Sequence, residues 1–193
     1  MEGFMVKQRM LVKGLPQVVF ITDNKRVPHF ETVIASLPNN AAVIIRDYDH
    51  PDRYAYAHHI VELCKSCGVT SIVAGDAQLA RKVGADGLHL AEYQLSGRRI
   101  IRHNFSIITA AAKSQLSMRR AATLGVNMVL FSPIFKTQSH RGVSGLGIHV
   151  LSRTIMHAPL PVAALGGIND KTLNRLNGID IACYAAIDGL ADI

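Results

Sequence analysis

Four times in this 193-residue chain a glycine separates a helix-like stretch from an apolar run: Gly68-Val69-Thr70, Gly84-Ala85-Asp86, Gly125-Val126-Asn127 and Gly178-Ile179-Asp180. A glycine just past the last helical turn takes the left-handed conformation, satisfies the final carbonyls and stops the helix. A strand then starts two residues later. Reading strands between such stops gives eight: Val18–Thr22, Ala42–Arg46, Ser71–Ala74, Gly87–Leu90, Ser106–Ala110, Met128–Phe131, Val162–Leu165 and Ile181–Ala185. They are apolar throughout instead of alternating, as expected for parallel strands covered on both faces. Eight strand–helix alternations predict a single (β/α)8 TIM barrel, with a doubly wound open sheet as the alternative. The length sits just under the usual lower size of about 200 residues for a barrel. The saving falls after the eighth strand, where only Asp188 to Ile193 remain, so the last helix is expected to be truncated to a turn. Residues 1–16 read as an N-terminal extension and 17–193 as the barrel domain.

Helices fill the gaps. Pro28 and Pro51 suit the first turns of the first two helices. In the second, Tyr54, Ala57, Val61 and Cys64 follow helical spacing, which leaves Asp52, Arg53, Glu62 and Lys65 toward water. Ser114 and Asn169 or Asp170 are candidate N-caps. A truncated last helix leaves the flank of the final strand under-covered, which points to a homo-oligomer or to the N-terminal segment as its cover.

At 49% apolar and 18% charged residues the composition is that of an ordinary globular chain. No apolar stretch approaches the roughly 20 residues that cross a membrane. Met1 to Pro16 lacks the apolar core of a secretory signal, so a cytoplasmic location and no membrane partner are expected. Cys64-Lys65-Ser66-Cys67 lies at the end of a helix, where a redox pair would open one, and no second pair completes a zinc site; two ordinary helix residues are expected. Cys183 reads as core. The formal charge of +7 favours an anionic partner. Without Trp, and without basic and aromatic residues interleaved, nucleic acid is not the expected one. Arg98, Arg99 and Arg102 read as a solvated helix face.

In a barrel the site forms at the C-terminal strand ends, with phosphate commonly held after strands seven and eight. Those ends carry Asp23, Arg46, Asp47, Gly75, Asp76, Glu92, Ala111, Lys113, Ser132, Thr137, Gly166, Gly167 and Asp188. The loop from Ser132 to Gly147 is long and rich in hydroxyls, bases and glycine, and loops of that length inside a compact domain are usually functional. Backbone amides freed by the pair Gly166-Gly167 form a ready anion site. Asp23 is either a turn cap or a ligand, and Asp76 either an N-cap or a metal ligand. His89, between Leu88 and Leu90, reads as a packed, hydrogen-bonded histidine, and His58 and His59 as surface residues.

The strand ends, taken together and in order, resemble the thiamine phosphate synthase and TenI (thiazole tautomerase) superfamily from Val18 to Ile187. The matching pieces are Ile21-Thr22-Asp23, Ile45-Arg46-Asp47, Ala85-Asp86-Gly87-Leu88-His89-Leu90, Pro133-Ile134-Phe135-Lys136-Thr137, Gly145-Leu146-Gly147 and Ala164-Leu165-Gly166-Gly167-Ile168. The resemblance implies an enzyme of thiamine biosynthesis that joins hydroxymethylpyrimidine pyrophosphate to thiazole phosphate and releases pyrophosphate. It implies that Arg46 grips pyrophosphate, as a planar guanidinium does through two parallel hydrogen bonds. Thr137 and Ser139 stand where the family places loop hydroxyls, and Gly167 where it places a backbone donor to the thiazole phosphate.

The sequence also departs from the family pattern at several strand ends. Its Arg-Glu-Lys reads Arg46-Asp47-Tyr48, so one pyrophosphate lysine is absent. Its Asn-Asp after strand three reads Gly75-Asp76, and the second magnesium carboxylate falls at Gln94, a poorer ligand for a hard cation. The strand-five serine falls at Ala111, the tautomerase histidine at Lys113, and the loop lysine near His140 or Arg141. Lys113 is the candidate to replace the lost charge and joins Arg46 as a catalytic candidate; His140 and Arg141 do the same for the loop, and Glu92 for an oxygen ligand. The expectation is a synthase-like transferase that needs Mg2+ if that chemistry is retained, with Asp76 the metal ligand. The alternative is a TenI-like or non-catalytic phosphometabolite-binding barrel without the metal site and needing no cofactor.

Overall fold

The computed structural model of the chain describes residues 14–96, 105–140, 142 and 144–190. Most of the expected N-terminal extension, and the Arg98, Arg99 and Arg102 face, lie outside the described residues.

Eight parallel strands close into a barrel in sequence order: β1 Val18–Ile21, β2 Ala41–Ile45, β3 Thr70–Ala74, β4 Gly87–Leu90, β5 Ile107–Ala111, β6 Met128–Phe131, β7 Val162–Leu165 and β8 Cys183–Ala186. The ring closes by pairing Val18 with Tyr184, Val19 with Ala185 and Phe20 with Ala186. The open-sheet alternative is excluded. Strands end within one or two residues of the expected positions. Thr22 and Arg46 fall just beyond their strands, and β8 starts at Cys183 instead of Ile181.

Six α-helices lie among the described residues: α1 Phe30–Ser36, α2 Arg53–Cys67, α3 Ala77–Lys82, α4 Gln115–Thr123, α5 Gly147–His157 and α6 Asp170–Leu173. A 3-10 turn over Glu92–Ser96 follows β4, and another over Asp188–Leu190 follows β8 in place of a helix. Gly68 ends α2 at φ +67°, and its amide reaches back to the Cys64 and Lys65 carbonyls. The Cys64–Cys67 pair is therefore the tail of a helix, as expected. Cys64 is fully buried, and that burial pushes its thiol up to about 12, so it stays an inert thiol.

Ser114 and Asn169 cap α4 and α6, each within a reciprocal box: Ser117 answers Ser114, and Thr172 answers Asn169. Pro28 and Pro51 stand one residue before the N-caps His29 and Asp52, not in the first helical turns, because Asp52 takes the capping role by accepting the Ala55 amide at 2.9 Å. The inner face of α2 is also shifted. Tyr56, Ala57, Ile60, Val61 and Cys64 are buried, whereas Tyr54 is exposed beneath the Lys82 ammonium, 4.4 Å from its ring centroid. The hydroxyl of Tyr56 explains its place inside, since it donates to Asp47 at 3.0 Å.

The Ser114 box satisfies two amides that the first turn leaves unpaired. Ser114→Ala is expected to cost about 1 kcal/mol, read as a lower urea midpoint with an unchanged slope. A change below about 0.3 kcal/mol, within the range of ordinary surface substitutions, would show that the cap contributes nothing measurable.

Candidate active site

The site lies at the C-terminal end of the barrel. A cavity of ≈ 390 Å³ is lined by Arg26, Arg46, Ser132, Lys136, Thr137, Ser139, Gly166, Gly167 and Asp188, among others. Of the residues singled out in the sequence it gathers Arg46, Ser132, Thr137, Ser139, Gly166, Gly167 and Asp188. His140 is described by its backbone alone, at the end of a 3-10 turn over Gln138–His140, and Arg141 lies outside the described residues. Lys113 and Asp76 do not line the cavity. Lys113 is exposed beyond β5, where its amide donates to the Glu92 carboxylate at 2.9 Å.

The glycine half of the cavity is built from backbone. Gly166 has φ +100° and packs so tightly that an added Cβ would stand 2.8 Å from Cα of Pro133. At Gly167 a Cβ would run into the Lys136 carbonyl. The β6 loop is hooked to the same segment, with the Ile134 and Phe135 amides donating to the Leu165 and Gly166 carbonyls, each at 2.9 Å. Main chain therefore meets main chain, leaving Lys136, Thr137 and Ser139 over the glycine pair. Only glycine combines this φ with this clearance.

Arg26 is the functional candidate that sequence reasoning missed. Its guanidinium reaches from the β1 loop to the Asp188 carboxylate and to Oγ of Ser139 at 2.6 Å, closing the cavity from the side of β1 and β8. Arginine in a turn after β1 carried no motif; only barrel closure brings it beside Asp188.

Arg46 stands across the cavity, its guanidinium 3.3 Å from Asp23 Oδ2. Asp23 takes the expected role of turn cap, its Oδ1 accepting the Arg26 amide at 3.3 Å, while its other oxygen pairs with Arg46. The neighbouring carboxylate, Asp47, is committed to structure. It accepts the Thr22 hydroxyl at 2.5 Å, the Asn24 amide at 2.7 Å and the Tyr56 hydroxyl. Burial first, and then the Asp47 charge, hold the Tyr56 phenol far above its ordinary value, so it remains a donor.

Beneath the site, buried His89 shares a 2.9 Å hydrogen bond with the Thr109 hydroxyl, as the packed reading expected. Burial, and then the nearby Arg46 charge, lower its pKa to about 4.

The mouths of β2, β3 and β4 carry three of the departures, Tyr48, Gly75 and Gln94. Asp76 caps α3, its Oδ1 accepting the Gln78 and Leu79 amides at 2.9 Å each, and Oδ2 lies 3.9 Å from the Arg53 guanidinium. Arg53, expected to point to water, instead turns inward over the Tyr48 ring at 5.2 Å and donates to the Ala74 carbonyl at 2.6 Å. Gln94 binds the Ala91 amide through its side-chain oxygen at 2.8 Å, and the Gly75 carbonyl through its nitrogen at 3.0 Å. Glu92 is tied to the Lys113 amide. Among the described residues no three His, Cys, Asp or Glu side chains stand together as metal ligands. The donor set does not fit a magnesium ion: one carboxylate is half-used as a cap and faces a guanidinium, and the second position is an amide already bonded to backbone.

A closed parallel barrel with a glycine-walled cavity after β6, β7 and β8 has the layout in which barrels of this class commonly hold a phosphate. The family model described as thiamine monophosphate synthase matches residues 18–190, and the chain belongs to that family. A thiamine-phosphate synthase of Thiobacillus denitrificans is 36% identical over 157 residues, 79% of this chain and 74% of the relative. One of Prochlorococcus marinus is 30% identical over 166 residues, 83% of this chain but 48% of the relative, so the chain spans about half of that protein. In structure the chain is similar to the thiamine phosphate pyrophosphorylase of Pyrococcus furiosus, with a TM-score of 0.70 over 91% of this chain and 90% of that one at 20% identity, which shows the shared fold.

Two outcomes are expected. Gly166→Ala should abolish anion binding and destabilise the fold by about 1–3 kcal/mol through strain at positive φ, read by calorimetry and denaturation. His89 sets a pH dependence. With its folded pKa below the ordinary 6.5, the unfolded chain binds the extra proton. Its contribution is therefore complete above pH 6.5 and is lost as pH falls toward 4, by about 1.4 kcal/mol per pH unit. His89→Asn should flatten the fall in Tm over that window; an identical fall in both proteins would remove His89 as its source.

Proposed function

We propose that this barrel is a thiamine phosphate synthase-type transferase, acting on a pyrimidine carrying a methylene diphosphate and on a thiazole monophosphate. The C–O bond from the methylene to the diphosphate breaks, the thiazole nitrogen forms the new C–N bond, and diphosphate leaves with the bonding electron pair. The observation that carries this reading is the convergence of Arg46, Thr137, Ser139, Gly166 and Gly167 on one cavity, in a chain that belongs to the family.

The residues divide the work. The Gly166-Gly167 backbone, with the Thr137 and Ser139 hydroxyls and the Lys136 ammonium, suits the monophosphate. Arg46 faces the leaving diphosphate, and its guanidinium stabilises the charge that grows there as the C–O bond breaks. Lys113, exposed at the β5 mouth and outside the cavity lining, remains the second cationic candidate. A cytoplasmic enzyme fits a chain in which, among the described residues, no helix is long and apolar enough to cross a membrane.

A second reading, a phosphometabolite-binding barrel without turnover, is favoured by the committed donors of Asp76 and Gln94. Turnover separates the two. Arg46→Ala is expected to lower kcat/KM at least 100-fold while thiazole phosphate still binds, followed by product formation and titration calorimetry. Normal turnover in that variant would remove Arg46 from the mechanism, and no turnover in the wild type would favour the binding-only reading.

A further inference from the structure

The three departures at the mouths of β2 to β4, Tyr48, Gly75 and Gln94, are packed together with Arg53. The Tyr48 ring lies against Gly75, where an added Cβ would stand 2.9 Å from Cε1, so this ring position requires glycine. Arg53 covers the ring, bonds the Ala74 carbonyl and faces Asp76. Gln94 ties the Gly75 carbonyl to the turn after β4. Arg53 and Arg46 both act on the Tyr48 phenol as nearby positive charges. The Arg53 side chain is largely enclosed, with its Nε buried and unpartnered within the protein. A cation–π contact, a carbonyl and a carboxylate thus fix a guanidinium at the place that the resemblance assigns to a divalent cation.

We propose that Arg53 is the resident cation of this mouth, and that the protein holds a diphosphate group between Arg46 and Arg53 without a divalent metal. This rests on the transferase reading and specifies how that site meets its diphosphate. A guanidinium is suited to the task because it is permanently charged and presents planar paired donors to phosphate oxygens. The flanking Asp76 carboxylate then orients Arg53 instead of coordinating an ion, and an amide at Gln94 is compatible with the arrangement where a second anion would repel the diphosphate.

The test titrates the full chain with inorganic diphosphate and, separately, with thiazole phosphate, each in EDTA and in excess Mg2+. Diphosphate affinity is expected to agree within about threefold in the two conditions, with Mn2+ showing no protein-bound signal by electron paramagnetic resonance. Arg53→Met should weaken diphosphate at least tenfold while thiazole phosphate binds as before, and Arg53→Lys should restore part of the loss. Diphosphate binding only with Mg2+, or unchanged in Arg53→Met, overturns the proposal and leaves the transferase reading in place. If neither anion binds in either condition, both fall. Should Arg53→Met fail to fold, the EDTA comparison on the unmodified chain decides alone.

Discussion

The pairing of β8 with β1 is the contact on which the site depends. Each strand pairs with its neighbours in parallel, and the final ladder sets Phe20 against Ala186. That register places the turn after β1 beside the turn after β8, and Arg26 meets Asp188 there. The same arginine reaches Ser139 in the β6 loop, which is itself hydrogen-bonded to the main chain of Leu165 and Gly166. An open sheet would leave these four loops on separate edges. Closure turns them into the walls of one cavity, and so converts hydrogen bonds of the fold into the geometry of the site.

Asp47 holds the opposite wall. Its three donors come from the end of β1, the turn after it and helix α2. A carboxylate so occupied has little left for Arg46, whose guanidinium is met by Asp23 instead. Thr22 links the two tasks, donating to Asp47 and accepting the Arg46 amide at 3.0 Å. Position and charge at Arg46 are therefore set by different neighbours, and the arginine stays available to an incoming anion.

Much of this was legible in the residues because local physics wrote it. Glycine stops, Ser114 and Asn169 caps and continuous apolar runs depend on neighbours in sequence, and they located every strand to within a residue or two. Gly166, Gly167, Thr137 and Ser139 were legible for a related reason, since a barrel brings consecutive strand ends together. Arg26 was not, because its partners lie 113 and 162 residues away. Arg53 was misread toward water because helical spacing marks a face without marking its rim. At the first turn of α2 a long side chain can fold back over the strand mouth, and the Tyr48 ring and the Ala74 carbonyl draw it there.

The two halves of the mouth are built differently. On the β6–β8 side the donors are largely backbone, and a backbone site survives wherever glycine preserves its path. On the β2–β4 side the polar groups are side chains, and there the chain departs at Tyr48, Gly75 and Gln94 together. Here the tyrosine ring needs the glycine beneath it, the arginine covers the ring, and the glutamine bonds the glycine carbonyl. Removing any one member strands the others: a Cβ at residue 75 displaces the ring, and loss of the ring uncovers Arg53. Such mutual dependence sets a guanidinium among the Tyr48 ring, the Ala74 carbonyl and the Asp76 carboxylate, the arrangement on which the proposed metal-free hold on diphosphate rests.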